Sequence, residues 1–496
     1  MQQRLSMADT LGLGLMTFAF LLGAGNIIFP PLEGQMAGEN VLYAMGGFLL
    51  TAVGLPLVSI IAVASAGGGL PAMTRDLPRG TGTFAAVPLF IIIGPAFAAP
   101  RTGLVAFEMA IRPLLGSQGE SALQVGAVTL DGVQMAVTAL FFVVALALAW
   151  SRGKLIDSVG KLLTPMLFLL LVVLALGVLL RPQGEIVAPV EAYQTMAFSK
   201  GFIGGYNTMD TFAALMFGML LVDVLRGKGV TAPRACFRYL SIAGVIAAIG
   251  LAFVYVSLFW LGATSSGVAP GASNGGVVLA AYVQALFGQP GQWILSLVVL
   301  LACLTTAVGL VSACADYFST LTPLRYRQWV VLLCAICAVV ANVGLSRLIA
   351  LSVPVLMALY PLAIALVVLT FIRRWLRNPV VGYRLVMLVA LLCSLMDGAR
   401  AAGAESGWLG ELLAWQMRTM PLAADGMAWV LPSTLALLVA LLLPAGAPNA
   451  GAPQAARVRS LFLENRRAPQ GRPIFLSLVP RLCPEFCCRR GQGAAE

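Results

Sequence analysis

The chain has 496 residues, 60% hydrophobic and only 10% charged, with a net charge of +11 and no histidine. A mean hydropathy of +0.93 excludes an ordinary soluble domain and points to a polytopic membrane protein. Lack of histidine removes the commonest general base and nitrogen metal ligand, which disfavours an enzyme or haem protein.

About twenty apolar residues cross a bilayer. After a short N-terminal segment, 1–10, such runs fall near 11–31, 41–65, 84–112, 131–150, 158–181, 197–225, 236–263, 291–321, 329–345, 348–373, 383–399 and 426–444. The expected fold is therefore all-α, with twelve transmembrane helices. Arg4 and Asp9 precede a long apolar stretch without an A-x-A cleavage site, so the first span is expected to stay. One set of connections carries Arg4, Arg75, Arg79, Arg152, Lys154, Lys161, Arg226, Lys228, Arg234, Arg238, Arg325, Arg327, Arg373, Arg374, Arg377 and Arg384. The opposite loops carry mostly acids, among them Glu33, Glu39, Glu120, Asp131, Glu185 and Glu191. The positive-inside rule then makes both termini cytoplasmic. The positive charge follows this topology and is no sign of nucleic-acid binding. Several of the nine cysteines (Cys303, Cys314, Cys334, Cys337, Cys393) lie in apolar runs and read as small hydrophobes, without a disulfide framework. Residues 447–496, rich in Pro, Ala, Gly and Arg, read as a disordered cytoplasmic tail; Cys483, Cys487 and Cys488 match no strong zinc spacing.

The first span is interrupted. Ala19 to Pro31 reads AFLLGAGNIIFPP, with Gly23, Ala24, Gly25 and Asn26 between two apolar runs. In lipid every backbone N–H and C=O needs an internal partner, so non-helical backbone survives at membrane depth only around a cavity or ligand. The glycines, lacking Cβ, let the chain unwind and approach that ligand.

Span three contains Arg101 and Glu108 at membrane depth, after Phe97 in IGPAFAAPRTGLVAFE. Buried charges there face a cavity or a partner. Arg101 reads equally as gate or anchor, with Asp210 a candidate partner. Span six carries a second break, FSKGFIGGYNTMDTFAALMF, with Gly204, Gly205, Tyr206, Asn207, Thr208 and Asp210. Glycine pairs alone also mark close helix packing. Phe20, Phe97, Phe202, Met209 and Phe212 offer apolar lining around the breaks. In span eight, Thr305 and Thr306 present adjacent hydroxyls, hard ligands for a hard cation, although a membrane-helix threonine also bonds its own i−4 carbonyl.

Breaks in spans one and six each open a unit of five spans. Interrupted helices at matching positions of two halves point to a midplane transport site. The implied architecture is an inverted repeat of 11–181 and 197–373, with 383–444 appended. Half-helix N-termini hold a carboxylate, while C-terminal ends and unwound carbonyls hold an ammonium or small cation. A zwitterionic amino acid suits both.

The motifs TFAFLLGAGNIIFPP, GPAFAAPRTG, GGYNTMDTFAALMFG and CLTTAVGLVSACADYF, spread over roughly 5–445, resemble the branched-chain amino acid:cation symporter (BrnQ-like) family of bacteria. That family is similar to the wider leucine-transporter fold group, with five-plus-five inverted repeats. The resemblance implies that Gly23, Ala24 and Gly25 line the substrate carboxylate, with Asn26 beside it. Gly204, Gly205 and Tyr206 would line the amino group and side chain. Na⁺ would be held by main-chain carbonyls of Ala19, Leu22 and Ala302 and the hydroxyls of Thr305 and Thr306. The implied function is import of leucine, isoleucine and valine across the bacterial inner membrane, coupled to Na⁺ and needing no cofactor, nucleic acid or obligatory protein partner. Proton coupling through Glu108 or Asp210 is the rival of the same class. An amino-acid sensor or a channel is the rival of another class.

Overall fold

The computed structural model describes residues 5–67, 69–78, 80–115, 131–150, 164–272, 274–404 and 406–444, with backbone alone at 122–125 and 128–130. These residues lie within one compact unit, Met1–Pro444; the tail predicted at 447–496 lies outside the described residues.

Apolar runs become helices almost throughout. The first span is two helices, α1 (Met7–Leu21) and α2 (Ala24–Ala37), followed by α3 (Val41–Leu49), α4 (Leu55–Ala66) and the short α5 (Gly69–Met73). Next come α6 (Thr81–Ile91), α7 (Ala98–Val105) and α8 (Arg112–Leu115). A small antiparallel hairpin, β1 (Ala122–Val125) with β2 (Val128–Asp131), departs from the all-α expectation. Its sequence, ALQV and VTLD, is rich in valine and alternates in polarity, a strand pattern too short to register as an element. The chain continues through α9 (Gly132–Ala149), α10 (Thr164–Leu180), α11 (Glu191–Thr195), α12 (Ala197–Gly204) and α13 (Asp210–Gly227). It then runs through α14 (Pro233–Ala263), α15 (Gly275–Leu321), α16 (Tyr326–Val340), α17 (Leu345–Ile372), α18 (Pro379–Ala401), α19 (Gly407–Thr419) and α20 (Val430–Leu442). Side-chain caps fix several starts: the Asp131 carboxylate accepts from the N–H groups of Val133 and Gln134, and Asn274 accepts from Val277.

Among the described residues, eight helical segments are long and apolar enough to cross a membrane, or nine with the bent pair α12–α13. Met7–Leu21, Thr164–Leu180 and Val430–Leu442 are shorter apolar helices. Outward-facing Leu140, Leu169, Ile249 and Leu442 are strongly exposed, as lipid-facing side chains are. The protein is therefore a multi-pass membrane protein. The span predicted at 291–321 is longer than expected. The helix α15 begins at Gly275, and Gly288, at φ 59° just before Pro290, kinks it.

Burial identifies the centre. The most apolar window of α15 is 78% buried, against 28% for α9 and for the span built on α16. Backbones approach closely around α2: a Cβ on Gly34 would meet the Phe259 carbonyl, and one on Gly262 the Pro31 carbonyl. Membrane helices lack a hydrophobic drive to associate, so small residues that permit such contact hold the bundle together. On the face predicted to be cytoplasmic, Arg373 grips Asp76 through two N–H···O bonds of 2.5 and 3.1 Å. On the same face, Lys228 after α13 pairs with Asp9 of α1 at 3.0 Å. The six described cysteines Cys236, Cys303, Cys314, Cys334, Cys337 and Cys393 are free and buried.

Candidate functional site

The first break falls where the GAGN sequence puts it. After Leu21 the backbone leaves the helical region at Leu22 (ψ 86°) and Gly23 (φ −109°, ψ −167°), and α2 restarts at Ala24. The Asn26 side chain turns back to accept the Gly23 N–H at 3.1 Å, capping the new helix. The first-turn N–H groups of α2 have no preceding turn to bond and are available to an acceptor. Pro30 and Pro31 inside α2 remove two further donors and leave carbonyls without their helical partner.

The second break is a single 3₁₀ turn, Gly205–Thr208, followed by Met209 at φ 63°. A left-handed methionine is a strained conformation that the surrounding packing must hold. The halves α12 and α13 bend by 41° there. Asp210 opens α13, where the positive end of the helix favours a carboxylate.

The two breaks are tied together by a buried network. Asn26 Nδ2 donates to Asp210 Oδ2 at 2.7 Å and also to the Tyr255 hydroxyl, and Tyr255 donates to the same Oδ2 at 2.6 Å. Tyr255 comes from α14. Arg101 enters from α7 with only 4% of its surface exposed. Its Nη1 donates to the Asn207 main-chain carbonyl at 2.9 Å, its guanidinium lies 5.6 Å from the Phe29 ring centre, and its buried Nε has no partner. The candidate Arg101–Asp210 ion pair does not form; Arg101 bonds to the main chain of the second break and Asp210 to Asn26 of the first.

A small cavity lies between the breaks. Its polar wall is Gly23, Ala24, Gly25, Asn26, Arg101, Thr102, Thr208, Asp210 and Thr306; its apolar wall includes Phe20, Leu21, Ile93, Met209, Ala213 and Leu310. Beside it, Thr305 donates to the carbonyls of Ala302 at 3.0 Å and Ala19 at 3.3 Å, and Thr306 to those of Ala19 at 3.1 Å and Leu22 at 2.9 Å. Each of the predicted carbonyls of Ala19, Leu22 and Ala302 thus lies within hydrogen-bond reach of the Thr305 or the Thr306 hydroxyl.

The expected residues divide. Gly23, Ala24, Gly25, Asn26, Arg101 and Thr208 line the cavity. Gly204, Gly205, Tyr206, Asn207 and Phe97 are not among its walls. A Cβ on Gly204 would meet the Glu33 carboxylate and one on Gly205 the Thr51 hydroxyl, so these glycines admit neighbouring helices. Tyr206 stacks on Tyr360 with ring centres 4.1 Å apart. Asn207 contributes its carbonyl to Arg101. Phe97, half-buried, ends a third interruption in which Gly94 (ψ −112°) and Pro95 break the helix between α6 and α7. The Gly-Pro pair was a sequence signal for that break. Tyr255 carried no local signal at all, because a tyrosine in a long apolar helix is ordinary.

A helical membrane bundle with two interrupted spans meeting at a polar internal cavity is the arrangement of a transporter. Two solved structures share the fold. MhsT in complex with L-phenylalanine aligns with a TM-score of 0.55 at 17% identity, over 89% of this chain and 99% of that one. Mhp1, a nucleobase-cation-symport-1 family transporter, aligns with a TM-score of 0.53 at 15% identity, over 87% and 91%. Residues 6–446 match the family described as branched-chain amino acid transport protein. The branched-chain amino acid transport system 2 carrier protein of Pseudomonas aeruginosa is 46% identical over 434 residues, covering 87% of this chain and 95% of that protein. The branched-chain amino acid permease BrnQ of Escherichia coli K12 is 41% identical over 442 residues, covering 89% and 97%. The chain belongs to the branched-chain amino acid transport protein family, whose named members are carriers and permeases and not enzymes.

Proposed function

We propose that this protein imports leucine, isoleucine and valine across the bacterial inner membrane by Na⁺-coupled symport. The observation that carries the proposal is the meeting of two helix breaks at one cavity, beside a cluster of oxygens contributed by α1 and α15. The substrate carboxylate lies at the N-terminus of α2, near Gly23, Ala24, Gly25 and Arg101, and its aliphatic side chain against Phe20, Ile93, Ala213 and Leu310. Gly204, Gly205 and Tyr206 support this site from behind by packing.

The Ala19, Leu22 and Ala302 carbonyls and the Thr305 and Thr306 hydroxyls suit Na⁺ chemically. All five are neutral hard oxygens, and a hydroxyl now donating to a carbonyl can rotate to turn a lone pair toward a cation. Substrate and ion lie on either side of the α1–α2 break, so each ligand steadies the backbone that the other needs. Twelve spans, both termini cytoplasmic, and an inverted repeat of 11–181 and 197–373 complete the proposal. Alternating access rocks the two broken spans and their neighbours against the remaining helices.

A proton-coupled cycle is the rival reading, favoured by the presence of Asp210, a carboxyl group at the heart of the site. Labelled leucine uptake into proteoliposomes separates them. A Na⁺ gradient alone should drive accumulation and a pH gradient alone should not. The reverse result assigns the proton cycle, and binding without accumulation assigns a sensor.

A further inference from the structure

A guanidinium and a carboxyl group face the cavity without forming a direct ion pair. Arg101 and Asp210, 4% and 2% exposed, both wall it, yet they make no ion pair. Arg101 spends one N–H on the Asn207 carbonyl and keeps a buried Nε without a partner. The hydrogen bonds that Asn26 and Tyr255 donate to Asp210 both fall on Oδ2. Buried charges of this kind cost free energy until something pairs them.

The positions of the two charges are specific. Arg101 abuts Gly25, where a Cβ would stand 2.6 Å from Nη2. Asp210 is bonded to Asn26, the next residue. The positive and negative poles therefore meet consecutive residues of one half-helix. An α-amino acid carries its ammonium and carboxylate on a single carbon, so its two charges are equally close. A zwitterion pairs both poles and brings no net charge into the membrane.

We propose that Asp210 is the receptor of the substrate's α-ammonium group, Arg101 with the first turn of α2 the receptor of its carboxylate, and Tyr255 a positioning residue that holds the Asp210 carboxylate in place. This deepens the transport reading and rests on it. It moves recognition of the amino group from Gly204–Tyr206 to the first residue of α13. It also makes the spacing between amino and carboxyl groups a determinant of specificity.

The test is binding of labelled leucine to the full-length protein in detergent. The competitors are 4-methylpentanoate (no amino group), 3-methylbutylamine (no carboxyl group) and β-homoleucine (one carbon added between the groups). Leucine should bind at least about thirtyfold more tightly than any of the three, as expected when a buried charge loses its partner. In Asp210→Asn the preference for leucine over 4-methylpentanoate should collapse while that over 3-methylbutylamine persists. Arg101→Gln should do the converse. Tyr255→Phe should weaken leucine while keeping both preferences, which a general loss of fold would not do. Wild-type protein that binds 4-methylpentanoate as tightly as leucine overturns the inference and leaves branched-chain transport standing, whether or not the variants fold. Leucine affinity unchanged in Asp210→Asn overturns it equally. Wild-type protein that binds no leucine overturns the transport reading and this inference with it.

Discussion

The two helix breaks use glycine for opposite purposes. In the first, Gly23 and Gly25 face the interior of the site: a Cβ on Gly23 would stand 3.0 Å from the Thr306 methyl, and one on Gly25 would stand 2.6 Å from Arg101. In the second, Gly204 and Gly205 face away from the cavity, toward Glu33 and Thr51, and the cavity receives Thr208, Met209 and Asp210 instead. One break exposes its backbone to the cavity. The other lets a helix approach closely and delivers its functional groups only after the turn. A glycine pair in a membrane helix therefore does not by itself locate a ligand; the polar residues beside it must be followed to their partners.

Substitution at the glycines is the sharpest way to break this contrast. Gly25→Val places a branched side chain against the Arg101 guanidinium and the Asn207 carbonyl. The expected cost to ligand binding is about 3 kcal/mol, or about a hundredfold in leucine affinity, with the protein still inserted in the membrane. Gly205→Ala should behave in reverse. Its Cβ would meet the Thr51 hydroxyl and approach the Phe48 carbonyl, an overpacking penalty of about 1–3 kcal/mol on the fold. Thermal melting should fall while the folded fraction keeps near-normal leucine affinity. A Gly205→Ala protein of normal stability that fails to bind leucine would return that glycine to the ligand site.

The next effect concerns the ion. Thr306 bonds two carbonyls of the broken α1 end, at Ala19 and Leu22, whereas Thr305 bonds one there and one in its own helix. Removing either hydroxyl should raise the Na⁺ concentration for half-maximal uptake by about three- to tenfold, with Thr306→Ala the larger. Unchanged Na⁺ dependence in both variants would remove the oxygen cluster from the coupling mechanism.

Much of the site was legible because its signals were local. GAGN marked the first break, and the adjacent threonines of span eight marked the oxygen cluster, since polar groups stand out in an apolar helix. The rest depended on distance along the chain. Asn26 and Asp210 are 184 residues apart and Asp210 and Tyr255 are 45 apart, and no local pattern pairs them. Arg101 resisted reading for another reason. Its partner is the main-chain carbonyl of Asn207, which any residue supplies, so the expected carboxylate partner was the wrong kind of group. The fold was legible as a set of apolar runs. The early start of α15 was not, because it lengthens a span without changing its hydropathy, and the Gly94–Pro95 interruption showed only in its Gly-Pro pair, which a reading by apolar runs passes over.

The smallest expected effect is one that neither break governs. In the proposed binding mode Arg101 and Asp210 serve the backbone of the substrate, whereas Phe20, Leu21, Ile93, Ala213 and Leu310, which line the same cavity, offer its side chain only apolar contact. Such a surface distinguishes one methylene by about 1–3 kcal/mol at most. Leucine, isoleucine and valine should therefore compete with one another within roughly a hundredfold range. Lysine and glutamate differ in kind, because their side-chain charges would be buried without partners once Arg101 and Asp210 are occupied. Competition against labelled leucine at matched concentrations measures both contrasts. Strong inhibition by lysine or glutamate, with none by valine, would show that Arg101 or Asp210 serves the side chain rather than the backbone, and would overturn the branched-chain assignment.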